Sequence, residues 1–168
     1  MRLSLNDLLR YLDQQCGRVP LDELLGRLRQ TELSLDDVRP YVRFADSNYQ
    51  RNSVRESPWY QALVLCWASG QASPIHDHSG SSCAVRVLEG RATETLYRSE
   101  PDGVRIQTSR WTVGAVIGSE DRDIHKVANR EQGGLVTLHI YSPPLLRMGK
   151  YDLVGDRLVP LVPLAVTV

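Results

Sequence analysis

The chain has 168 residues, 42% hydrophobic and 24% charged, with no formal net charge. That balance is ordinary for one globular domain with a substantial core, expected over residues 1–168. Scattered arginines with acidic neighbours give no basic surface for nucleic acid or anionic membrane, and no stretch approaches the ~20 apolar residues of a membrane span.

The predicted elements begin with a helix over 3–16, where Ser4 and Asp7 form a capping-box pattern and Leu8, Leu9, Leu12 and Cys16 follow near helical spacing. Gly17 fits its stop. A second helix runs from Pro20, at its first position, to about 29, and Ser34 with Asp37 caps a short third one ending near Val38, before Pro40. After Tyr41 the pattern changes to strands at 60–67, 84–88, 92–98, 104–108, 111–117, 124–127 and 135–141, separated by Gly, Pro, Asp and Ser turns. The tail adds strands at 151–154 and 157–159, then an apolar run whose two prolines argue against a central strand. Covering an apolar edge and joining a subunit contact are both open to that run. Many short strands at close spacing predict an all-β sandwich or barrel.

The three cysteines, Cys16, Cys66 and Cys83, show an odd count, wide spacing and no CxxC pair, against a disulfide framework. Asn6, Asp7 and Arg10 interrupt any signal-peptide pattern, so a reducing cytoplasm is the expected location.

Residues 74–90 read PIHDHSGSSCAVRVLEG. In a strand His76 and His78 share one face and can aim at one point. Imidazole suits zinc, copper, iron and nickel alike, and a pair this close serves about as often at a surface. The wider spacing of Gly70, His76, His78, Cys83 and Gly90 matches the first cupin motif, with Cys83 where most cupins have glutamate. His125 to Asn129, HKVAN, matches the end of the second motif, without the proline and glycine that often precede it. Together these resemble a cupin whose metal has three histidines and no carboxylate. The fold class implied is mainly β: a cupin jelly-roll β-sandwich or barrel over about 43–168 with a C-terminal tail, preceded by two or three α-helices within about 1–42. Three neutral nitrogens leave a divalent ion uncompensated and its coordination open, which favours an anionic, soft ligand such as a substrate thiolate.

Thr137, His139 and Tyr141 fall on one face of the strand at 135–141, where hydroxyl, imidazole and phenol can form a hydrogen-bonded relay; a solvent-facing polar row shows the same alternation. Tyr49 and Arg51 share a side if their segment is extended. An arginine fork matches a carboxylate, although spacing alone does not prefer Arg51 over Arg43 or Arg55.

NYQRN, LVLCW, SPIHDHSGSSC, VLEG with TETLY, IHKVAN and LHIYSPP, in this order from Tyr49 to Pro144, resemble the cysteine dioxygenase family. The resemblance implies that His76, His78 and His125 bind Fe(2+), that Arg51 holds the substrate carboxylate beside Tyr49, and that His139 and Tyr141 are the family's supporting histidine and active-site tyrosine. Thr137 stands where serine is usual. Cys83 lies where some members form a thioether crosslink to that tyrosine, here Tyr141. Cys66 reads as a core residue and Cys16 as a helix residue. The implied reaction takes L-cysteine and O2 to cysteine sulfinate. The chain is expected to be a monomer or weak homo-oligomer without nucleic-acid or membrane partners. Three rivals stand beside it. A 3-mercaptopropionate dioxygenase generally has glutamine at the Arg51 position, which makes the adjacent Gln50 matter. The others are a non-catalytic sensing cupin and a zinc or nickel cupin, which usually keeps the glutamate.

Overall fold

The computed structural model describes residues 3–165. Helix α1 spans Leu5–Asp13 and starts at the predicted capping box, with Asp7 N donating to Ser4 Oγ at 3.2 Å and Ser4 N to Asp7 Oδ2 at 2.9 Å. It ends sooner than the sequence predicts. Gln14 and Gln15 turn their amides onto carbonyls three residues back, so Cys16 lies outside the helix and exposed. Helix α2 spans Leu21–Gln30, with Pro20 as its cap instead of its first residue. The third segment is a 3₁₀ helix over Asp36–Tyr41 that runs through Pro40.

Eleven strands follow among the described residues: β1 Gln50–Glu56, β2 Gln61–Trp67, β3 Ile75–His76, β4 Ser82–Glu89, β5 Arg91–Glu100, β6 Gly103–Thr112, β7 Val116–Ser119, β8 Ile124–Ala128, β9 Leu135–Ser142, β10 Arg147–Val154 and β11 Arg157–Ala165. They form an antiparallel five-stranded sheet, β1-β2-β9-β4-β7, and a six-stranded one, β11-β10-β3-β8-β5-β6. The expected pair at 104–108 and 111–117 is divided elsewhere. Trp111 belongs to β6, and the break falls at Gly114, whose φ of +88° suits a turn. Strands β1 and β3 escape a periodicity reading, because one is polar and the other has two residues. The tail prolines Pro160 and Pro163 sit in β11, an edge strand, where proline is better tolerated than in a central one. The last part of that predicted apolar run, 166–168, lies outside the described residues. Among them no helix is long and apolar enough to cross a membrane.

Strands β2 and β9 are buried along their whole length. One face, with Ala62, Val64, Cys66, Val136, Leu138 and Ile140, packs against the leucines of α1 and α2. The other, with Leu63, Leu65, Trp67, Leu135 and Tyr141, faces the second sheet. Arg86 from β4 anchors α2 by donating from Nη1 to the carbonyls of Leu28 and Thr31, at 3.0 and 2.8 Å, a favourable place for a cation at a helix C-terminus.

Gly70 and Gly90, the motif glycines, both adopt positive φ, +83° and +75°. A Cβ at Gly70 meets open space, whereas one at Gly90 lies 2.5 Å from the Gly134 carbonyl oxygen. Gly70→Ala therefore carries only the backbone strain, about 1 kcal/mol, while Gly90→Ala adds a backbone clash and costs about 3 kcal/mol. Urea unfolding of the two variants should show that separation.

Candidate metal centre

His76 is placed by β3, a two-residue insertion between β10 and β8 that sets it directly across from His125. His78 follows in the loop, its backbone N–H donating to the Asp121 carbonyl at 3.1 Å. Asp77 between them anchors that loop to β10. Its Oδ1 accepts from the Gly149 N–H at 2.9 Å and its Oδ2 from Tyr151 OH at 2.6 Å. The carboxylate fills the space a Cβ on Gly149 would need. Partial burial pushes the Asp77 pKa up, but the hydrogen bonds from Tyr151, Gly149 and Ser79 outweigh it and hold it below the ordinary value.

The three histidines are buried, and their ligand atoms lie within 4.8 Å of one another. His125 Nε2 and His78 Nε2 are 3.3 Å apart. His76 Nδ1 lies 3.0 Å from the Pro74 carbonyl oxygen, which can only accept, so Nδ1 carries the proton and Nε2 keeps its lone pair. His125 Nδ1 is tied in the same way to Glu94 Oε1 at 2.9 Å. Burial pushes the His76 pKa down to about 3 and that of His78 well below its ordinary value. Buried neutral nitrogens converging on one point suit a divalent metal ion. Asn129, the end of HKVAN, is no part of that group; its Nδ2 donates to the Trp67 and Gly133 carbonyls at 3.0 and 2.8 Å and ties the end of β8 to β2.

The row on β9 faces this point, because the helices already cover the Leu138–Ile140 side; the solvent-facing alternative is not realised. The indole Nε1–H of Trp67, a donor only, gives to Thr137 Oγ1 at 3.1 Å. Thr137 Oγ1 is 2.9 Å from His139 Nε2, and His139 Nδ1 is 3.1 Å from Tyr141 OH. With Thr137 donating to Nε2, His139 donates from Nδ1 to the phenol oxygen, and the phenol proton is left for the cavity. Burial holds His139 neutral and pushes the Tyr141 pKa well up, so both stay uncharged.

Arg51 pairs with Leu65 in the β1–β2 register and Gln50 with Cys66, so the arginine takes the cavity side and the glutamine the helix side. Its Cζ is 5.5 Å from the Tyr141 ring centroid. Its Nε and Nη2 are buried without hydrogen-bond partners. A cation with unused donors is costly to bury and calls for a planar anion in the cavity. Tyr49 stacks on Trp67 at 4.1 Å between ring centroids. Cys83 is buried opposite Tyr141 across β4–β9, its Sγ 3.9 Å from His139 Nδ1, and is outside the histidine group. All nine residues predicted from sequence therefore lie in one compact region, and eight of them, with Trp67, line a single cavity; Thr137 supports it from behind. Trp67, Glu94 and Trp111 were not anticipated as supporting groups. The signal for Glu94 was a charge at the inward parity of its strand, beside Ala92 and Leu96.

The family described as "Cysteine dioxygenase type I" matches residues 13–153. Cysteine dioxygenase type 1 from Danio rerio is 29% identical over 161 residues, covering 89% of this chain and 79% of the relative. The Homo sapiens protein of that name is 30% identical over 159 residues, with the same coverage. Among solved structures, a protein with a double-stranded β-helix domain from Klebsiella pneumoniae aligns with a TM-score of 0.55 and 18% identity, over 67% of this chain and 84% of its own. A cupin superfamily protein from Desulfitobacterium hafniense aligns at 0.50 and 17%, over 61% and 84%. These two establish the cupin fold alone.

Thr137→Val removes the acceptor of the Trp67 N–H and the partner of His139 Nε2 while nearly keeping the shape. It should lower stability by about 1–3 kcal/mol, and Thr137→Ser by clearly less. Chemical denaturation of both variants measures the difference.

Proposed function

The chain belongs to the cysteine dioxygenase type I family, and from that premise we propose that it converts L-cysteine and O2 to cysteine sulfinate at an Fe(2+) held by His76, His78 and His125. The observation that carries the choice of substrate is the Arg51 guanidinium, whose Nε and Nη2 are buried and unpartnered, in the same cavity as the three imidazoles. Ferrous iron, when bound, supplies the dioxygen chemistry by which both oxygen atoms reach the substrate sulfur. The residues of the chain do the rest. Arg51 receives the substrate carboxylate in its fork, with Tyr49 beside it, and fixes how far the thiol reaches toward the histidines. Tyr141, kept protonated by burial and oriented through Thr137 and His139, donates its phenol proton into the cavity. Leu65, Val127 and the stacked Tyr49–Trp67 pair give the cavity an apolar wall.

Cys83 and Tyr141 are cross-strand neighbours, and burial pushes the thiol pKa up to about 12, so Cys83 is not a thiolate competing for the metal. Their thioether crosslink is part of this proposal: it joins Sγ to the ring with loss of two hydrogens, dioxygen being the oxidant. The whole chain, 1–168, is read as one cupin domain, a monomer or weak homo-oligomer, in a reducing cytoplasm where free Cys16, Cys66 and Cys83 persist. The rival preference for 3-mercaptopropionate would gain from a register shift bringing Gln50 inward. Gln50 pairs with Cys66 on the helix side, which speaks against it.

Protein loaded anaerobically with Fe(2+) should consume one O2 for each cysteine sulfinate formed, with little turnover of 3-mercaptopropionate or cysteamine; preference for 3-mercaptopropionate would reject the role of Arg51. Arg51→Ala should cut kcat/KM for cysteine by an amount worth about 2–5 kcal/mol and leave Fe(2+) binding unchanged. Equal loss of both would count against the carboxylate clamp. After turnover, intact mass should show a population lighter by two hydrogens, absent from Cys83→Ser.

A further inference from the structure

Glu94 is the one carboxylate that is buried among the described residues, at 5% exposure. It lies on β5, diagonal to His125, which pairs with Leu96 across β5–β8. Both of its oxygens are engaged. Oε1 is 2.9 Å from His125 Nδ1, and Oε2 accepts from Trp111 Nε1 at 3.0 Å. Both donors are ring N–H groups, so the pair solvates the carboxylate and holds its orientation. None of the cavity-lining residues is acidic, and Arg51 is a cation. An ion held by three neutral nitrogens beside Arg51 would thus find its nearest buried negative charge behind His125.

We propose that Glu94 is the positioning residue and buried counter-charge of the metal centre. It locks the His125 ring as the Nδ1–H tautomer with Nε2 facing the ion. Through that hydrogen bond it supplies the negative charge that the three ligands lack, in place of a carboxylate bound directly to the metal. Trp111 keeps the carboxylate from turning away. This inference rests on the metal reading proposed above. A negative charge so close stabilises the ferric state more than the ferrous one, so Glu94 also holds the reduction potential down.

The test uses the full chain and two readouts independent of turnover: Fe(2+) affinity against a competing chelator under anaerobic conditions, and the ferric/ferrous potential. A glutamine amide at position 94 can accept from only one of the two ring N–H groups. The informative variant is therefore Glu94→Gln in a Trp111→Phe background, compared with Trp111→Phe alone, since it removes the charge and leaves an acceptor for His125. Affinity should fall ~10–100-fold and the potential should rise, with thermal unfolding of the metal-free proteins nearly matched. Unchanged affinity and potential would overturn the role of Glu94 and leave the metal reading standing. No uptake of Fe(2+) by the wild-type chain would overturn both. If the double variant does not fold, Glu94→Asp, which keeps the charge, takes its place; a potential close to that of the wild type supports the counter-charge, and one raised well above it overturns it.

Discussion

Burial of β9 on both faces is the constraint from which the rest of the structure follows. Its even-numbered residues, Val136, Leu138 and Ile140, are apolar and sit under the leucines of α1 and α2. Thr137, His139 and Tyr141 then have nowhere to point but between the sheets, because consecutive side chains of a strand alternate. Polar groups there are tolerable only when paired, and the indole of Trp67 supplies the fixed donor that starts the chain of hydrogen bonds. The helices therefore help to orient the Tyr141 phenol without touching it.

The charges of the centre have the same economy. Burial keeps His76, His78 and His139 neutral, which suits lone-pair donors and a neutral relay. Against them stands the cation Arg51, two of whose nitrogens, Nε and Nη2, have no hydrogen-bond partner. Glu94 is the one buried carboxylate among the described residues and touches the centre only through His125. A site built this way lacks negative charge toward the cavity, and an amino-acid thiol brings two anionic groups.

Much of this was legible in the sequence. The capping box at Ser4, the alternation of β9 and the spacing from Gly70 to Gly90 are local patterns, and local patterns survive folding when the core rewards them. Boundaries were less legible. Strand β6 runs through Trp111 because its hairpin with β5 stays in register over ten residues, and a strand held by its neighbour needs no apolar signal of its own. Strand β1 is polar for the same reason, held by β2, and β3 is too short to have a period.

By itself the sequence determined which groups were available: three histidines with ligand spacing, a cysteine in place of a carboxylate, a hydroxyl–imidazole–phenol row and a choice of arginines. Spacing along one strand is fixed by backbone geometry, so it can be read without a fold. Only the tertiary structure decided that the relay faces inward, that Arg51 and not Gln50 enters the cavity, and that Glu94 and Trp67 stand behind the ligands and the relay. These depend on which strands pair and in what register, and a shift of one residue would turn every side chain to the opposite face.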